Sequence, residues 1–125
     1  MKIAVIDDEK DDRFFLSRIL LKYNVEVQTY TSSIDFGAHA NADDFDFVWI
    51  DFTINHGAGA KNILRALTVK SKTRVVFISH GDKHFTKEFR ENPIVWGLLL
   101  KGDTDSIHEH IKNRLYERAH PEIYQ

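Results

Sequence analysis

Residues 47–52 read Phe47-Val48-Trp49-Ile50-Asp51-Phe52: four large apolar residues, one carboxylate, then another aromatic. An unbroken apolar run of this length and type fits a strand covered on both faces. Three more such runs occur, at Ile3-Ala4-Val5-Ile6, at Val75-Val76-Phe77-Ile78 and from Ile94 to Leu100. Val25-Glu26-Val27-Gln28-Thr29-Tyr30 alternates instead, as an edge strand with one wetter face does. Helical patterns lie between them. Phe15, Leu16, Ile19, Leu20 and Tyr23 share one face of a helix over residues 10–23, and Ala60, Ile63, Leu64 and Leu67 repeat the pattern. Ile107, Ile111 and Leu115 stripe a last helix, about 104–118, for which Thr104 or Asp105 is the candidate cap. Ser32 to Ala40 and Lys83 to Arg90 are weaker helical segments, the latter carrying Phe85 and Phe89. Strand and helix alternating five times predict an α/β fold: a doubly wound, five-stranded parallel sheet with helices on both faces. The order 2-1-3-4-5 puts the alternating strand at an edge.

Composition sets the bounds. The chain has 125 residues, 42% of them hydrophobic, with two prolines and six glycines, which predicts one globular domain over residues 1–125 with a short tail after the last helix. A formal charge of −2 argues against a general binder of nucleic acid or of acidic membranes. The absence of cysteine excludes a disulfide framework, thiolate zinc sites and thiol catalysis. The start MKIAVIDDEK is too short in apolar residues for a signal peptide, and no run reaches membrane-spanning length. A soluble, cytoplasmic protein is the expectation.

In such a sheet, ligands bind beyond the carboxyl ends of the strands, at the switch point between strands 1 and 3. Strand 1 ends in Asp7-Asp8-Glu9, strand 3 in Asp51, strand 4 in Ser79 and strand 5 in Lys101. Carboxylates brought together repel and raise one another's pKa unless a cation sits among them. Mg2+ takes oxygen ligands, keeps several waters and bridges carboxylates to phosphate. The hydroxyl and the ammonium would then hold phosphoryl oxygens, with Asp51 as the nucleophile that forms an aspartyl phosphate. Each residue alone has a plainer reading. The acids after strand 1 suit a helix N-terminus, Asp51 suits a first loop residue, Ser79 a strand-end cap and Lys101 a solvated lysine. His56, His80 and His84 fall in loops on this side, but their spacing matches no standard metal-ligand pattern. Trp49 and Trp96 read as core, and the charge run EKDDR as the wet face of the first helix.

The segments VIDDE, VWIDF, VVFIS, Gly97 and LLLK, in this order and spacing, make the chain from Lys2 to about Leu115 resemble the receiver domains of response regulators in two-component phosphorelay signalling. The resemblance implies a flavodoxin-like fold, Mg2+ as cofactor and Asp51 as the phosphoacceptor. It implies Asp8 as a direct metal ligand, Asp7 as a ligand through water and the Thr53 backbone carbonyl as another. Ser79 matches the switch hydroxyl, Lys101 the amine that pairs with the phosphoryl group, and Gly59 a glycine that follows the acceptor. The implied partners are a histidine kinase or histidine phosphotransfer protein and a downstream protein, with no nucleic acid or membrane; a weak homodimer is compatible. The contact face of helix 4, strand 5 and helix 5 would include Tyr116. Beyond its own phosphorylation and dephosphorylation such a domain is not an enzyme. The chain departs from the family at Ile54 and Asn55, which replace Met-Pro, and at His80, which replaces a small residue. It departs again at Gly102, where proline and a cis peptide are usual, and at Leu98, where an aromatic switch is usual. A phosphorylation-independent docking module is the alternative these departures suggest. A phosphatase with its nucleophile on strand 1 would want Asp-x-Asp, and Asp7-Asp8-Glu9 gives Asp-x-Glu.

Overall fold

The computed structural model describes residues 1–53, 57–67, 70–81 and 86–120, apart from the Arg118 side chain. Ile54, Asn55, His56, His84, Phe85 and the tail 121–125 lie outside the described residues. The elements are β1 (Lys2–Ile6), α1 (Lys10–Leu21), β2 (Glu26–Tyr30), α2 (Ser33–His39), β3 (Phe47–Asp51), α3 (Ala58–Ala66), β4 (Arg74–Ser79), α4 (Lys87–Arg90), β5 (Val95–Leu100) and α5 (Thr104–Ala119). All strand pairs are parallel, in the order β2-β1-β3-β4-β5. None of the described helices is long and apolar enough to cross a membrane.

Strand pleating sorts the core into two layers, because successive side chains point to opposite faces. Ala4, Ile6, Val48, Ile50, Val75 and Phe77 face α2, α3 and α4, packing with Phe36, Ile63 and Phe89. Ile3, Val5, Phe47, Trp49, Val76 and Ile78 face α1 and α5, packing with Leu16, Ile19, Leu20, Ile107 and Ile111. Asp51 lies two residues beyond Trp49 and so on the α1/α5 side. Every residue of β3 is buried, as its apolar run requires.

Several expectations are corrected. Phe15 is not on the buried face of α1: it is 44% exposed, while Leu16, Ile19 and Leu20 carry the packing. The helix stops at Leu21, and Asn24, in the left-handed conformation at φ 57°, turns the chain toward β2. The cap of α5 is Asp103, not Thr104 or Asp105; its Oδ1 accepts the Ser106 N–H at 3.1 Å. The largest correction is β5. The apolar run from Ile94 predicted a strand covered on both faces; β5 lies at the second edge, as the order 2-1-3-4-5 requires, but most of its residues are only half-buried and Trp96 is 39% exposed rather than core. A register shift opposite Val75/Val76 leaves Trp96 as the extra residue. Its ring rests against Phe47 and between two guanidiniums, Arg114 at 4.7 Å and Arg74 at 5.6 Å from the centroid, and Arg114 Nη2 donates to the Trp96 carbonyl at 2.9 Å. The cationic stack lets an indole sit half in water at an edge.

One residue further, Gly97 lets α5 approach. A Cβ there would meet His110 Cε1 at 2.8 Å and Val76 Cγ1 at 3.0 Å. His110 is set against the edge of Trp49, and its buried Nε2 makes no hydrogen bond. Burial, followed by the charge of Arg114, holds its pKa down to about 4. His110 is therefore neutral in the fold and protonates more readily when unfolded, so its contribution to stability is complete above pH ~6.5 and is lost as pH falls toward the folded value. By pH ~5 the loss should reach about 1–2 kcal/mol in urea titrations and should be absent in His110→Phe. Gly97→Ala should cost about 1–3 kcal/mol by the same measurement, and most of that should return in Gly97→Ala/His110→Ala, where the clashing ring is gone.

Candidate functional site

Strand ends and one helix build the site. β1 runs straight into Asp7, which is fully buried. Asp7 Oδ1 accepts the Glu9 N–H at 2.9 Å, its backbone carbonyl accepts from Arg13 Nη1 at 2.8 Å, and its N–H donates to Tyr30 O at 3.1 Å. The residue is thus pinned by the start of α1 and by β2. β3 delivers Asp51, also buried, whose Oδ1 accepts from both the Thr53 N–H (2.9 Å) and the Thr53 hydroxyl (2.7 Å). β5 delivers Lys101, whose N–H donates to Ser79 O at 2.8 Å, so the ends of β4 and β5 are tied together. Ser79 is fully buried, and its hydroxyl accepts the Gly81 N–H at 3.3 Å.

The Lys101 ammonium is the centre. Its Nζ lies 2.8 Å from Asp51 Oδ2, 2.7 Å from Asp12 Oδ2 and 2.8 Å from Asp7 Oδ2. The first two are hydrogen bonds. The third is close enough for an ion pair but is not aligned for a hydrogen bond, so Asp7 Oδ2 is a buried oxygen with no donor aimed at it. Asp8, exposed, completes an acidic group: Asp7, Asp8 and Asp51 each offer an oxygen, all within 4.8 Å of one another. Burial raises the Asp7 carboxyl above its ordinary range, against the pull of Lys101. Burial also pushes on Asp51, but there the Lys101 ammonium and the two Thr53 donors win and hold the carboxyl below the usual range. Burial would lower Lys101, yet the hydrogen bonds to Asp12 and Asp51 and the close charge of Asp7 outweigh it, and the ammonium is held well above its ordinary pKa.

The structure thus brings Asp7, Asp8, Asp51, Thr53, Ser79 and Lys101 to one end of the sheet. Gly59 is apart from them, buried in α3. No cis peptide occurs among the described residues, Lys101-Gly102 included. Asp12 is the residue that sequence reading missed, and its assignment to the wet face of α1 is corrected: it sits on Lys101. The signal was present in the spacing. Asp12 is four residues before Leu16 and seven before Ile19, and so prolongs the buried stripe of α1 into the site. His80 Nε2 approaches the same Asp12 oxygen at 3.5 Å.

Many solved structures similar to this chain are receiver domains. The N-terminal domain of a response regulator/sensory box/GGDEF three-domain protein from Carboxydothermus hydrogenoformans superposes with a TM-score of 0.71 at 22% identity, over 95% of this chain and 98% of that one. A response regulator receiver domain from Clostridium thermocellum gives 0.66 at 22% identity, over 92% and 96% of the two chains. Another, from Methylobacillus flagellatus, gives 0.66 at 17% identity, over 89% and 98%. The fold is that of receiver domains, a five-stranded parallel sheet of order 2-1-3-4-5. No protein-family model matches the sequence, and no curated protein does.

Removing the central cation should be costly, because it leaves buried carboxylates uncompensated. Lys101→Met should lose about 3–5 kcal/mol at neutral pH in urea denaturation. Without the ammonium, the folded-state pKa values of these acids rise above their unfolded values. The deficit should therefore begin to narrow as pH falls through those raised values, and the narrowing should be complete below the unfolded carboxylate value near pH ~4.

Proposed function

We propose that the chain is a response-regulator receiver domain that accepts a phosphoryl group on Asp51 from a phosphohistidine, with Mg2+, and signals through protein contact. The observation that carries this is the state of Asp51: a buried carboxylate at a strand end, kept ionised by Lys101 and Thr53, beside two further acids. An ionised carboxylate is the form that can act as nucleophile.

The donor set fits a hard divalent ion. One oxygen each of Asp7, Asp8 and Asp51 lies within 4.8 Å of the others, close enough for one cation to gather them, and Asp7 Oδ2 is buried without a hydrogen bond. Mg2+ would be held by these acids and the Thr53 carbonyl, and would supply charge neutralisation for the phosphoryl oxygens. The other steps belong to the chain. A carboxylate oxygen of Asp51 bonds to phosphorus while the bond from phosphorus to the donor's imidazole nitrogen breaks, and the electron pair returns to that ring. Lys101 pairs with a phosphoryl oxygen, and Ser79, next to it on β4, offers a hydroxyl to another. Water later cleaves the acyl phosphate and restores Asp51. The donor is a histidine kinase or a histidine phosphotransfer protein, and the domain catalyses only its own loading and loss. Output runs through the surface of α4, β5 and α5, where Trp96, Leu100 and Tyr116 are exposed. Leu98 is half-buried against the α2/α3/α4 layer. Smaller than an aromatic and without a hydroxyl, it gives a smaller conformational change on that face.

A second reading, docking without phosphorylation, is favoured by one feature: the Lys101 ammonium is already surrounded by three carboxylates. One experiment separates the two. With acetyl phosphate and Mg2+, intact mass should show one phosphoryl adduct in wild type and none in Asp51→Asn, whose amide is neither nucleophile nor charged ligand. An adduct on the variant, or none on wild type with either acetyl phosphate or beryllofluoride, contradicts the phosphoacceptor reading. Mg2+ alone should raise the melting temperature of wild type and not that of Asp8→Ala.

A further inference from the structure

An ammonium has three hydrogens to give. In this chain one goes to the acceptor Asp51 and one to Asp12, while Asp7 stands at the same distance out of line. Asp12 is not a member of the acid group that could share a cation, which comprises Asp7, Asp8 and Asp51. It comes from the first turn of α1, and nothing in the chemistry proposed above requires a carboxylate there. Its Oδ2, bonded to Lys101 at 2.7 Å, also faces His80 Nε2 at 3.5 Å. Asp12, His80 and Lys101 line a cleft of about 200 Å3 together with Phe15, Leu16 and Gly102. An oxyanion on Lys101, in a cleft at the mouth of the acceptor site, has the charge and the acceptor geometry that a phosphoryl oxygen would bring.

We propose that Asp12 is a positioning residue that acts as an internal competitor. Its carboxylate occupies the Lys101 donor that a phosphoryl oxygen on Asp51 would use, and it has to give way for the phosphorylated state to form. This rests on the phosphoacceptor reading of Asp51. Phosphorylation adds a charge of about −1.5 to −2 beside Lys101, and two anions on one ammonium repel. Asp12 therefore swings off the lysine on loading, and its close approach to His80 goes with it. The contact links occupancy of the acceptor to the loop after β4 without an aromatic on β5.

The test is beryllofluoride binding with Mg2+, followed by 19F NMR on the full chain. Asp12→Asn removes the competing charge and keeps the shape, so the apparent Kd should fall by at least about tenfold, the smallest effect expected of a neighbouring charge. Asp12→Glu, which restores a carboxylate, should return it toward wild type. His80→Ala leaves Asp12 on the lysine and should leave the beryllofluoride affinity unchanged. A merely structural Asp12 would weaken binding in both Asp12 variants, and that outcome overturns the proposal. So does unchanged affinity in Asp12→Asn, or equal tightening in His80→Ala. Equal binding by wild type and Asp12→Asn refutes the competitor alone and leaves the phosphoacceptor reading standing. Binding by neither, or undiminished binding by Asp51→Asn, removes both. Binding by Asp12→Asn where wild type shows none supports both.

Discussion

Lys101 Nζ lies within 2.8 Å of carboxylates from β1, β3 and α1, and the site end of the molecule depends on that one buried cation. At an effective dielectric near 20, two unit charges 4 Å apart interact by about 4 kcal/mol, so each attraction is matched by a repulsion of the same order between neighbouring acids. With Asp8 counted, four carboxylates and one ammonium gather at this end of the sheet. The ammonium makes the cluster tolerable; burial still pushes Asp7 up against its pull, while at Asp51 the ammonium and the Thr53 donors outweigh burial. The unequal division has a chemical meaning: the acid with the better-aligned donors, Asp51, is the one held below the usual carboxylate range.

The sheet makes this convergence possible at little conformational cost. Parallel strands end on the same side, so residues distant in sequence arrive together once register is fixed by the two apolar layers. Register is doubly secured beside the site. Lys101 N–H bonds Ser79 O, and Phe52 N–H bonds Ile78 O at 2.9 Å, so the last residues of β3, β4 and β5 are locked before any side chain is considered.

The sheet was legible because buried strands write themselves as apolar runs and an acid or lysine at the end of a run stands out. β1, β3 and β4 appear where Ile3, Phe47 and Val75 begin their runs, and Asp7, Asp51, Ser79 and Lys101 meet as the strand order requires. What was not legible depends on neighbours in space. The apolar run of β5 reads as doubly covered, since composition does not say how far the helices reach over an edge strand; Arg74 and Arg114 lie over the exposed Trp96 ring instead. Asp12 reads as a surface charge because acids are favoured in the first turn of any helix, and only its alignment with Leu16 and Ile19 argues otherwise. His110 carries no sequence signal at all; its environment is created by the missing side chain of Gly97.

The treatment of Trp96 has a consequence for how the protein behaves in concentrated solution. An edge strand with free carbonyls is a template for another chain, and an exposed aromatic makes the template stickier. Here the irregularity opposite Val75/Val76 breaks the flat edge, and Arg114 occupies the Trp96 carbonyl while its guanidinium covers the ring. At the opposite edge, β2 presents Glu26 and Gln28 to solvent. Both borders of the sheet are thus blunted against strand addition by different means, polar side chains on one and a folded-back arginine on the other. The same arginine that makes an indole acceptable at the surface keeps the sheet from growing into its neighbours.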